Sequence, residues 1–356
     1  MDVEQIYLRL LRKAIGLTKE DTNVSQEQWA AIKQLSHRQG TDIFLTTDKT
    51  MLARAMMRQQ QQLLTLDIIW QALEKVGLRP VILKGFGLAR FYPEPYRRFS
   101  SDVDIWVGKG NYDIVTSAIN SVMKVEWHHE NEDVNERHYN FASPQGLIFE
   151  THPQTIPFIL PSEKAALETI ELPAMTNAEE FVFEGHCLRM PQAEFNLLFI
   201  FMHAWEHFTS SGAGLKHLAD LAVLVNNDRL KRQDPDDVLV TLRKLHLLEP
   251  WLVMGYVVVK VFDLRKEQWP LYKDTRRIRR LGERLYRRIM DEGLTRPNQS
   301  SVKTNKTSVL SNKWFSKLWT LGERIRTALM IAPYSPQYAR YYLYSAVYKG
   351  VKRLRK

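Results

Sequence analysis

The sequence predicts an α+β protein in which a small mixed β-sheet lies between an N-terminal and a C-terminal helical region. Apolar residues recur at helical spacing between Asp48 and Val76. Short β-rich runs then follow at 81–84, 102–107 and 147–151. Helical spacing returns between Pro191 and Asp291. This order of helices, strands and helices predicts a mixed sheet flanked by helices.

The first region, residues 1–78, is predicted to be helical. Ser25 and Gln28 have the spacing of a capping box, and Gly40 suits the left-handed residue that ends a helix. The apolar residues from Asp48 to Val76 predict one long helix that packs on the residues after it.

The second region, residues 79–160, contains the predicted sheet. We expect strands at 81–84, 102–107, 137–142 and 147–151, and helices at 85–92 and 112–123. In the strand at 102–107, Asp102 and Asp104 alternate with Val103 and Ile105. Because alternate residues of a strand share a face, both aspartates are expected on one side of the sheet.

The third region, residues 161–292, is predicted to be a helical domain. We expect helices at 191–207, 215–226, 235–245, 250–261 and 274–291, and the irregular stretch before Pro191 is given no element. Residues 293–312 are polar and predict a linker. Residues 313–356 are expected to form a basic, aromatic helical tail.

The composition fits a globular protein with a sizeable core, since 44% of the residues are hydrophobic and 25% are charged. The single cysteine, Cys187, excludes an internal disulfide and a cysteine zinc cluster. The sequence contains no run of eighteen apolar residues and no secretory signal composition. We therefore expect a cytoplasmic protein, with peripheral binding at the inner face of the membrane as an alternative.

The positive charge is concentrated near the C-terminus. The whole chain has a net charge of +10, whereas the residues from Lys273 onward contain 21 Lys/Arg and five Asp/Glu, a net charge of +16. In the tail at 313–356, cations alternate with aromatic residues. This composition suits an anionic membrane surface or nucleic acid, and it equally suits amphipathic helices that pack on the protein with a solvated basic face.

The two aspartates are the first candidate metal ligands. Asp102 and Asp104, two residues apart on a strand, can share hard cations, which prefer oxygen ligands. Glu150, in the strand-like run at 147–151, is the best-placed third carboxylate. These residue types in this order predict a two-metal site on the sheet.

Candidate phosphate contacts lie close to the aspartates in the sequence. Lys84 and Gly85 stand between a predicted strand and a helix, where glycines, including Gly87, allow close approach of a ligand to the backbone. Arg98 lies four residues before Asp102, where it can bind a phosphate oxygen or orient a carboxylate. Arg97 is an alternative to Arg98.

The run LKGFGLARFYPEPYRRFSSDVDIWV resembles the motif of an uncharacterised bacterial nucleotidyltransferase family within the polymerase-β superfamily. The matching residues are Leu83, Lys84, Gly85, Arg98, Asp102 and Asp104. Two later stretches resemble the family as well, an acidic-x-His strand and a helical region, through Glu150, His152, His203, His207 and Asp220. The resemblance covers about residues 60–230.

The resemblance implies a metal-dependent enzyme that transfers a nucleoside monophosphate from an NTP such as ATP to an unknown hydroxyl acceptor and releases pyrophosphate. It implies that Asp102, Asp104 and Glu150 are catalytic and hold two Mg²⁺ ions, with Mn²⁺ as an alternative. Most members of the superfamily have Gly-Ser where this chain has Lys84-Gly85, so the nucleotide preference is not carried over. One alternative is a non-catalytic nucleotide- or partner-binding protein with the same fold. Another is a protein peripheral to a membrane, in which the basic tail docks the catalytic core.

His203 and His207 lie four residues apart, a spacing that also suits a metal site. Their apolar and aromatic surroundings favour instead a hydrogen-bonded pair at a seam between helices. Asp220 is a candidate partner for that pair.

Overall fold

The computed structural model describes residues 2–128, 138–156, 158, 160–227, 234–294, 322, 324–340 and 342–344. The helices within these ranges are α1 (Val3–Ala14), α2 (Gln26–Gln39), α3 (Asp42–Leu45), α4 (Lys49–Lys75), α5 (Gly85–Ala89), α6 (Tyr112–Val122), α7 (Pro161–Thr176), α8 (Ala193–Thr209), α9 (Leu215–Val225), α10 (Pro235–Lys244), α11 (Leu248–Phe262) and α12 (Arg276–Glu292). The strands are β1 (Val81–Leu83), β2 (Asp102–Trp106), β3 (Glu126–His128), β4 (Tyr139–Ala142), β5 (Ile148–His152), β6 (Glu179–Phe183) and β7 (His186–Met190).

The described strands form a mixed five-stranded sheet and a separate hairpin. In the large sheet the order is β1-β2-β5-β4-β3, and β6 pairs with β7. Strands β2 and β5 are parallel, whereas β1 with β2, β4 with β5 and β3 with β4 are antiparallel. The α+β prediction with a small mixed sheet between helical regions is confirmed.

One face of the large sheet is closed by helices α4 and α6. Val103 and Ile105 of β2 lie on this face and are buried with Phe149 of β5. Leu66 of α4 and Ile119 of α6 belong to the same apolar cluster. Burying these alternate residues stabilises the strand and turns Asp102 and Asp104 to the other face.

The long helix predicted from Asp48 to Val76 is confirmed as α4. Asp48 accepts hydrogen bonds from the backbone N–H groups of Thr50 and Met51, which satisfies two free donors of the first turn. The capping box of Ser25 and Gln28 and the left-handed Gly40 at the end of α2 are also confirmed.

A second apolar core joins helix α1 to the later helices. Tyr7 and Leu11 of α1 are buried in the same cluster as residues of helices α8 to α12. The Arg12 guanidinium donates to the backbone oxygen of Val261 at the end of α11. The N-terminal helices are therefore packed on the later helical region rather than on the sheet alone.

Helix α7 and the hairpin of β6 and β7 lie in the stretch for which the sequence predicted no element. Helix α7 begins at Pro161 and contains Pro173, which obscures its helical pattern. The hairpin turns at Glu184 and Gly185, both of which have positive φ angles. Phe181 and Phe183 alternate with other residues before a glycine turn. This pattern is typical of a hairpin, so the hairpin could have been predicted from the sequence.

The structure describes only parts of the predicted linker and tail. Of the linker at 293–312, residues beyond 294 lie outside the described ranges, as does most of the tail at 313–356. Within the tail, residues 324–331 and 336–340 are helical, and Ile331 and Tyr334 are buried in the second core. No helix in the described ranges is both long and apolar enough to cross a membrane.

Candidate active site

The parallel pairing of β2 with β5 brings two of the predicted carboxylates together. Asp104 lies opposite Glu150 in this ladder, and Trp106 lies opposite His152. Because paired residues point to the same side of a sheet, Asp104, Glu150 and His152 share the face that α4 and α6 leave open.

Asp104 is at the centre of the site. Its side chain is 1% exposed, and its Oδ1 lies 2.9 Å from Lys84 Nζ and 2.9 Å from His152 Nε2. Its other oxygen, Oδ2, is buried and has no hydrogen-bond partner among the described residues. A buried carboxylate oxygen is costly to leave unpartnered, so a cation bound to Oδ2 would stabilise it.

The charges of Asp104 and Lys84 stabilise one another. Burial by itself raises the pKa of Asp104, but Lys84 and His152 outweigh burial and hold that pKa well below its ordinary value. Burial likewise lowers the pKa of Lys84, and the carboxylates of Asp104, Asp102 and Glu150 outweigh it and raise that pKa. At neutral pH the pair is therefore a carboxylate and an ammonium.

Glu150 and His152 complete a cluster with Asp104. His152 Nε2 lies 3.6 Å from Glu150 Oε2, and one ligand atom from each of the three residues lies within 4.8 Å of the others. Two carboxylates and one imidazole can hold a divalent cation. In the sequence, His152 is marked only as part of the acidic-x-His strand, although its spacing from Glu150 places both on one face of β5.

Asp102 is on the same face but outside this three-residue cluster. Its Oδ1 accepts hydrogen bonds from Ser100 Oγ at 3.2 Å and Ser101 Oγ at 3.1 Å. The structure therefore brings together Asp104 and Glu150 of the three predicted carboxylates, with Asp102 two residues earlier on β2.

The turn from β1 into α5 places Lys84 beside the carboxylates. Lys84 has a φ of 52° and Gly85 a φ of 39°, both in the left-handed region. A Cβ on Gly85 would meet no described atom within 4 Å, although the residue itself is buried. A Cβ on Gly87 would lie 3.6 Å from atoms of Ile82 and Met190, so this residue is packed between β1 and β7.

Arg98 is held by a carboxylate from the helical region. Its Nε and Nη2 donate to the two oxygens of Asp220 at 2.8 and 2.7 Å, and Tyr92 donates to Asp220 at 2.7 Å. Arg98 and Asp220 are both buried. The sequence leaves two functions open for Arg98, binding a phosphate oxygen or orienting a carboxylate. The structure shows contact with a carboxylate, that of Asp220.

His203 and His207 meet a third histidine, His217 of α9. The ring centroids of His203 and His207 are 4.5 Å apart, and those of His207 and His217 are also 4.5 Å apart. Burial lowers the pKa of all three, to about 4 for His207, and the nearby Lys84 lowers it further for His203 and His207. The three rings are therefore neutral near pH 7, and Asp220, their expected partner, binds Arg98 instead.

Residues 22–263 match a family model described as "Uncharacterised nucleotidyltransferase". A solved structure from H. pylori, described as a "putative nucleotidyltransferase", is similar with 15% sequence identity and a TM-score of 0.29, over 65% of this chain and 96% of that chain. No curated protein matches this chain.

Proposed function

Because this chain belongs to the family of uncharacterised nucleotidyltransferases, we propose that it transfers a nucleoside monophosphate from an NTP to a hydroxyl acceptor with the help of a divalent cation. The family supports nucleotidyl transfer in general terms. The metal, the NTP donor and the acceptor are parts of our proposal.

The buried carboxylate of Asp104 is the observation that carries this proposal. One of its oxygens meets Lys84 and His152, and the other has no hydrogen-bond partner among the described residues. Glu150 and His152 lie beside it with ligand atoms within 4.8 Å. A cation bound to Oδ2 would satisfy the unpartnered oxygen, which is a physical reason to expect one there.

The donor set fits Mg²⁺ or Mn²⁺, with the imidazole of His152 favouring Mn²⁺ among the two. Asp104, Glu150 and His152 would hold one ion, and a second ion would use Asp102 together with Asp104. When bound, such ions neutralise the charge of the phosphates and favour ionisation of the acceptor hydroxyl.

The residues of the chain have distinct tasks in the proposed reaction. The acceptor oxygen forms a bond to the α-phosphorus, the bond from that phosphorus to the oxygen of the β-phosphate breaks, and pyrophosphate leaves. The hydroxyl proton passes to Glu150. Lys84 keeps Asp104 ionised and offers its ammonium to the phosphates, and the absence of a side chain at Gly85 leaves space beside this turn.

Calorimetric titration with each of the four NTPs, with and without MgCl₂, tests the donor site. We expect one NTP to bind in the presence of metal. Asp104→Asn should weaken this binding by about 100-fold, because it removes a charged ligand from a buried site. Asp113→Asn, which changes an exposed aspartate of α6, is the matched control and should bind like the wild type. Absence of binding for all four NTPs would overturn the proposal.

Titration with Mn²⁺, followed by its paramagnetic resonance signal, tests the ligands separately. His152→Gln should weaken Mn²⁺ binding by about 10-fold or more, since the imidazole belongs to the three-residue cluster. Asp102→Asn should change the number of ions bound rather than the affinity of the first. Unchanged affinity in His152→Gln would remove His152 from the site.

A further inference from the structure

A cation-rich pocket lies beside the candidate active site, between α4, α3 and the start of α9. The cavity has a volume of about 300 Å³, and its charged lining residues are Arg54, Arg58, Lys216 and Asp42. We refer to it as the Lys216 pocket. Ile43, Met51 and Phe99 supply the apolar part of its wall.

Lys216 is an ammonium without a counter-ion in contact. Its Nζ donates to the backbone oxygen of Phe99 at 2.8 Å, and no ion pair joins it to a carboxylate within the described part of the chain. Burial and then the neighbouring Arg98 lower the pKa of Lys216 to about 8. An anion in the cavity would offset both effects, because it would restore the interactions that the ammonium lost on leaving water.

Arg58 offers a second under-satisfied cation. Its Nη2 donates to the backbone oxygen of Ser101 at 3.1 Å, and its guanidinium lies 5.9 Å from the centre of the Phe99 ring. Its Nε is buried and lacks a hydrogen-bond partner among the described residues. Arg54 lies one turn earlier on α4 and lines the same cavity, so both guanidinium groups are on one face of the helix.

The single carboxylate of the pocket is already engaged. Asp42 Oδ2 lies 3.0 Å from Nδ1 of His37, outside the cavity lining. The charged lining of the cavity therefore has three cations and one carboxylate. Such an excess of positive charge around a partly apolar cavity is complementary to a dianion.

The pocket and the candidate active site share one short segment of the chain. Residues 98–101 run directly into Asp102, and Phe99 and Ser101 accept hydrogen bonds from Lys216 and Arg58. Asp102 also contributes to the electrostatic environment of Lys216. A group bound in the pocket would thus lie next to the segment that ends at Asp102.

We propose that the Lys216 pocket binds a phosphate group of a substrate. This inference rests on the proposed nucleotidyl transfer and adds a substrate class to it, a phosphate-bearing hydroxyl compound as acceptor. The same chemistry could be supplied by the terminal phosphates of the NTP. Both sources place a tetrahedral dianion between Arg54, Arg58 and Lys216.

Titration of the full chain with inorganic phosphate, without metal or nucleotide and at low ionic strength, tests the pocket directly. We expect saturable binding, which Lys216→Met and Arg58→Gln each weaken by about 10-fold or more through loss of a charge-assisted hydrogen bond. Arg54→Gln should also weaken binding, because Arg54 lines the cavity. Its side chain is exposed, so the substitution should leave the fold intact. Lys244→Met, an exposed lysine of α10 that does not line the pocket, is the matched control.

Wild-type affinity in both Arg54→Gln and Lys216→Met, or loss of phosphate binding in Lys84→Met alone, would overturn the proposal. Competition between phosphate and ATP would assign the group to the donor, and simultaneous binding of both would assign it to the acceptor. Asp104→Asn should still bind phosphate, whether or not it binds NTP. This result would show that the pocket binds phosphate even if the proposed nucleotidyl transfer is wrong.

Discussion

Two buried charges of the site, Asp104 and Arg98, are neutralised in different ways. Asp104 meets Lys84 and His152 through one oxygen only, so it keeps a second oxygen for a ligand. Arg98 uses two nitrogens on the two oxygens of Asp220, the bidentate geometry that gives the strongest pairing with a carboxylate. At the scale of single residues, Asp104 is prepared for a ligand, whereas Arg98 joins two parts of the fold.

Removing one partner of the Arg98 and Asp220 pair should destabilise the protein strongly. Asp220→Ala leaves a buried guanidinium without a counter-ion, and we expect it to lower the free energy of unfolding by about 3–5 kcal/mol. Chemical denaturation measures this change. Arg98→Met combined with Asp220→Leu should recover much of the loss, because no unpaired charge remains. A double variant as unstable as Asp220→Ala would contradict this account.

Glu163 predicts a pH dependence of stability. It is completely buried in α7, and neither of its carboxylate oxygens has a well-aligned hydrogen bond within the described residues. Burial raises its pKa to about 7 from 4.5, and the backbone at Leu160 offsets only part of this. The folded state therefore holds more protons than the unfolded state between these values, so stability falls as the pH rises from about 4.5 to 7.

Glu163→Gln should remove this dependence. The difference between the two proteins in free energy of unfolding should grow from pH 4.5 to pH 8 and reach about 3 kcal/mol in favour of the variant. Urea unfolding at a series of pH values measures it. Glu168→Gln, an exposed change in the same helix, is the control and should follow the wild type. Parallel profiles for Glu163→Gln and the wild type would rule out a contribution from Glu163.

At the scale of elements, the pairing of β2 with β5 and the position of α9 assemble the candidate site. The parallel register sets Asp104 opposite Glu150. Helix α9 brings Lys216, His217 and Asp220 to the same edge of the sheet, because its first turn packs closely on the end of α2. There the backbone N–H of Leu215 donates to Gln39, whose amide also donates to the end of α12.

The close approach of α9 to α2 depends on Gly214. A Cβ at this residue would lie 2.5 Å from the backbone oxygen of Gln39, which cannot rotate away. Gly214→Ala should therefore lower the free energy of unfolding by about 1–3 kcal/mol through overpacking. Gly322→Ala is the matched control, since a Cβ there meets no described atom within 4 Å. Equal denaturation midpoints for both variants would show that the backbone at Gln39 moves away from the new methyl group without loss of stability.

At the scale of the whole molecule, helix α1 and described residues of the tail pack on the helical region that carries part of the site. Helix α1 belongs to the second core, and so do Ile331 and Tyr334 of the tail. The side chains of Ile331 and Tyr334 are therefore covered by the protein, whereas Ile325 and Leu329 are exposed. Binding of the remaining tail to a membrane or to nucleic acid stays a prediction.

Tyr334 should contribute substantially to stability. It is 2% exposed, and its ring centroid lies 5.6 Å from that of Trp205 and 5.9 Å from that of Phe208. Tyr334→Ala should cost about 3–5 kcal/mol by opening a cavity against α8. Leu329→Ala, at a side chain that is 69% exposed, should cost less than about 0.5 kcal/mol. Similar unfolding curves for the two variants would argue against packing of the tail.

Helices and strands with regular apolar spacing were predictable from the sequence. Elements whose apolar spacing is interrupted were not. Helix α4 and strand β2 follow from apolar spacing over a few residues, and the end of α2 follows from Gly40. Helix α7 was missed because Pro161 and Pro173 interrupt its pattern. The hairpin of β6 and β7 was missed although its turn contains a glycine.

The sequence by itself determined the α+β class, the strand that bears Asp102 and Asp104, and the lysine-glycine turn before it, because these depend on periodicity and turn chemistry within a short stretch of chain. Only the tertiary structure decided that Asp104, Glu150 and His152 form the cluster, with Asp102 outside it. It also decided that Arg98 binds Asp220, 122 residues away. Such contacts depend on strand register and helix packing, which sum many weak interactions over the whole chain and leave no local signal.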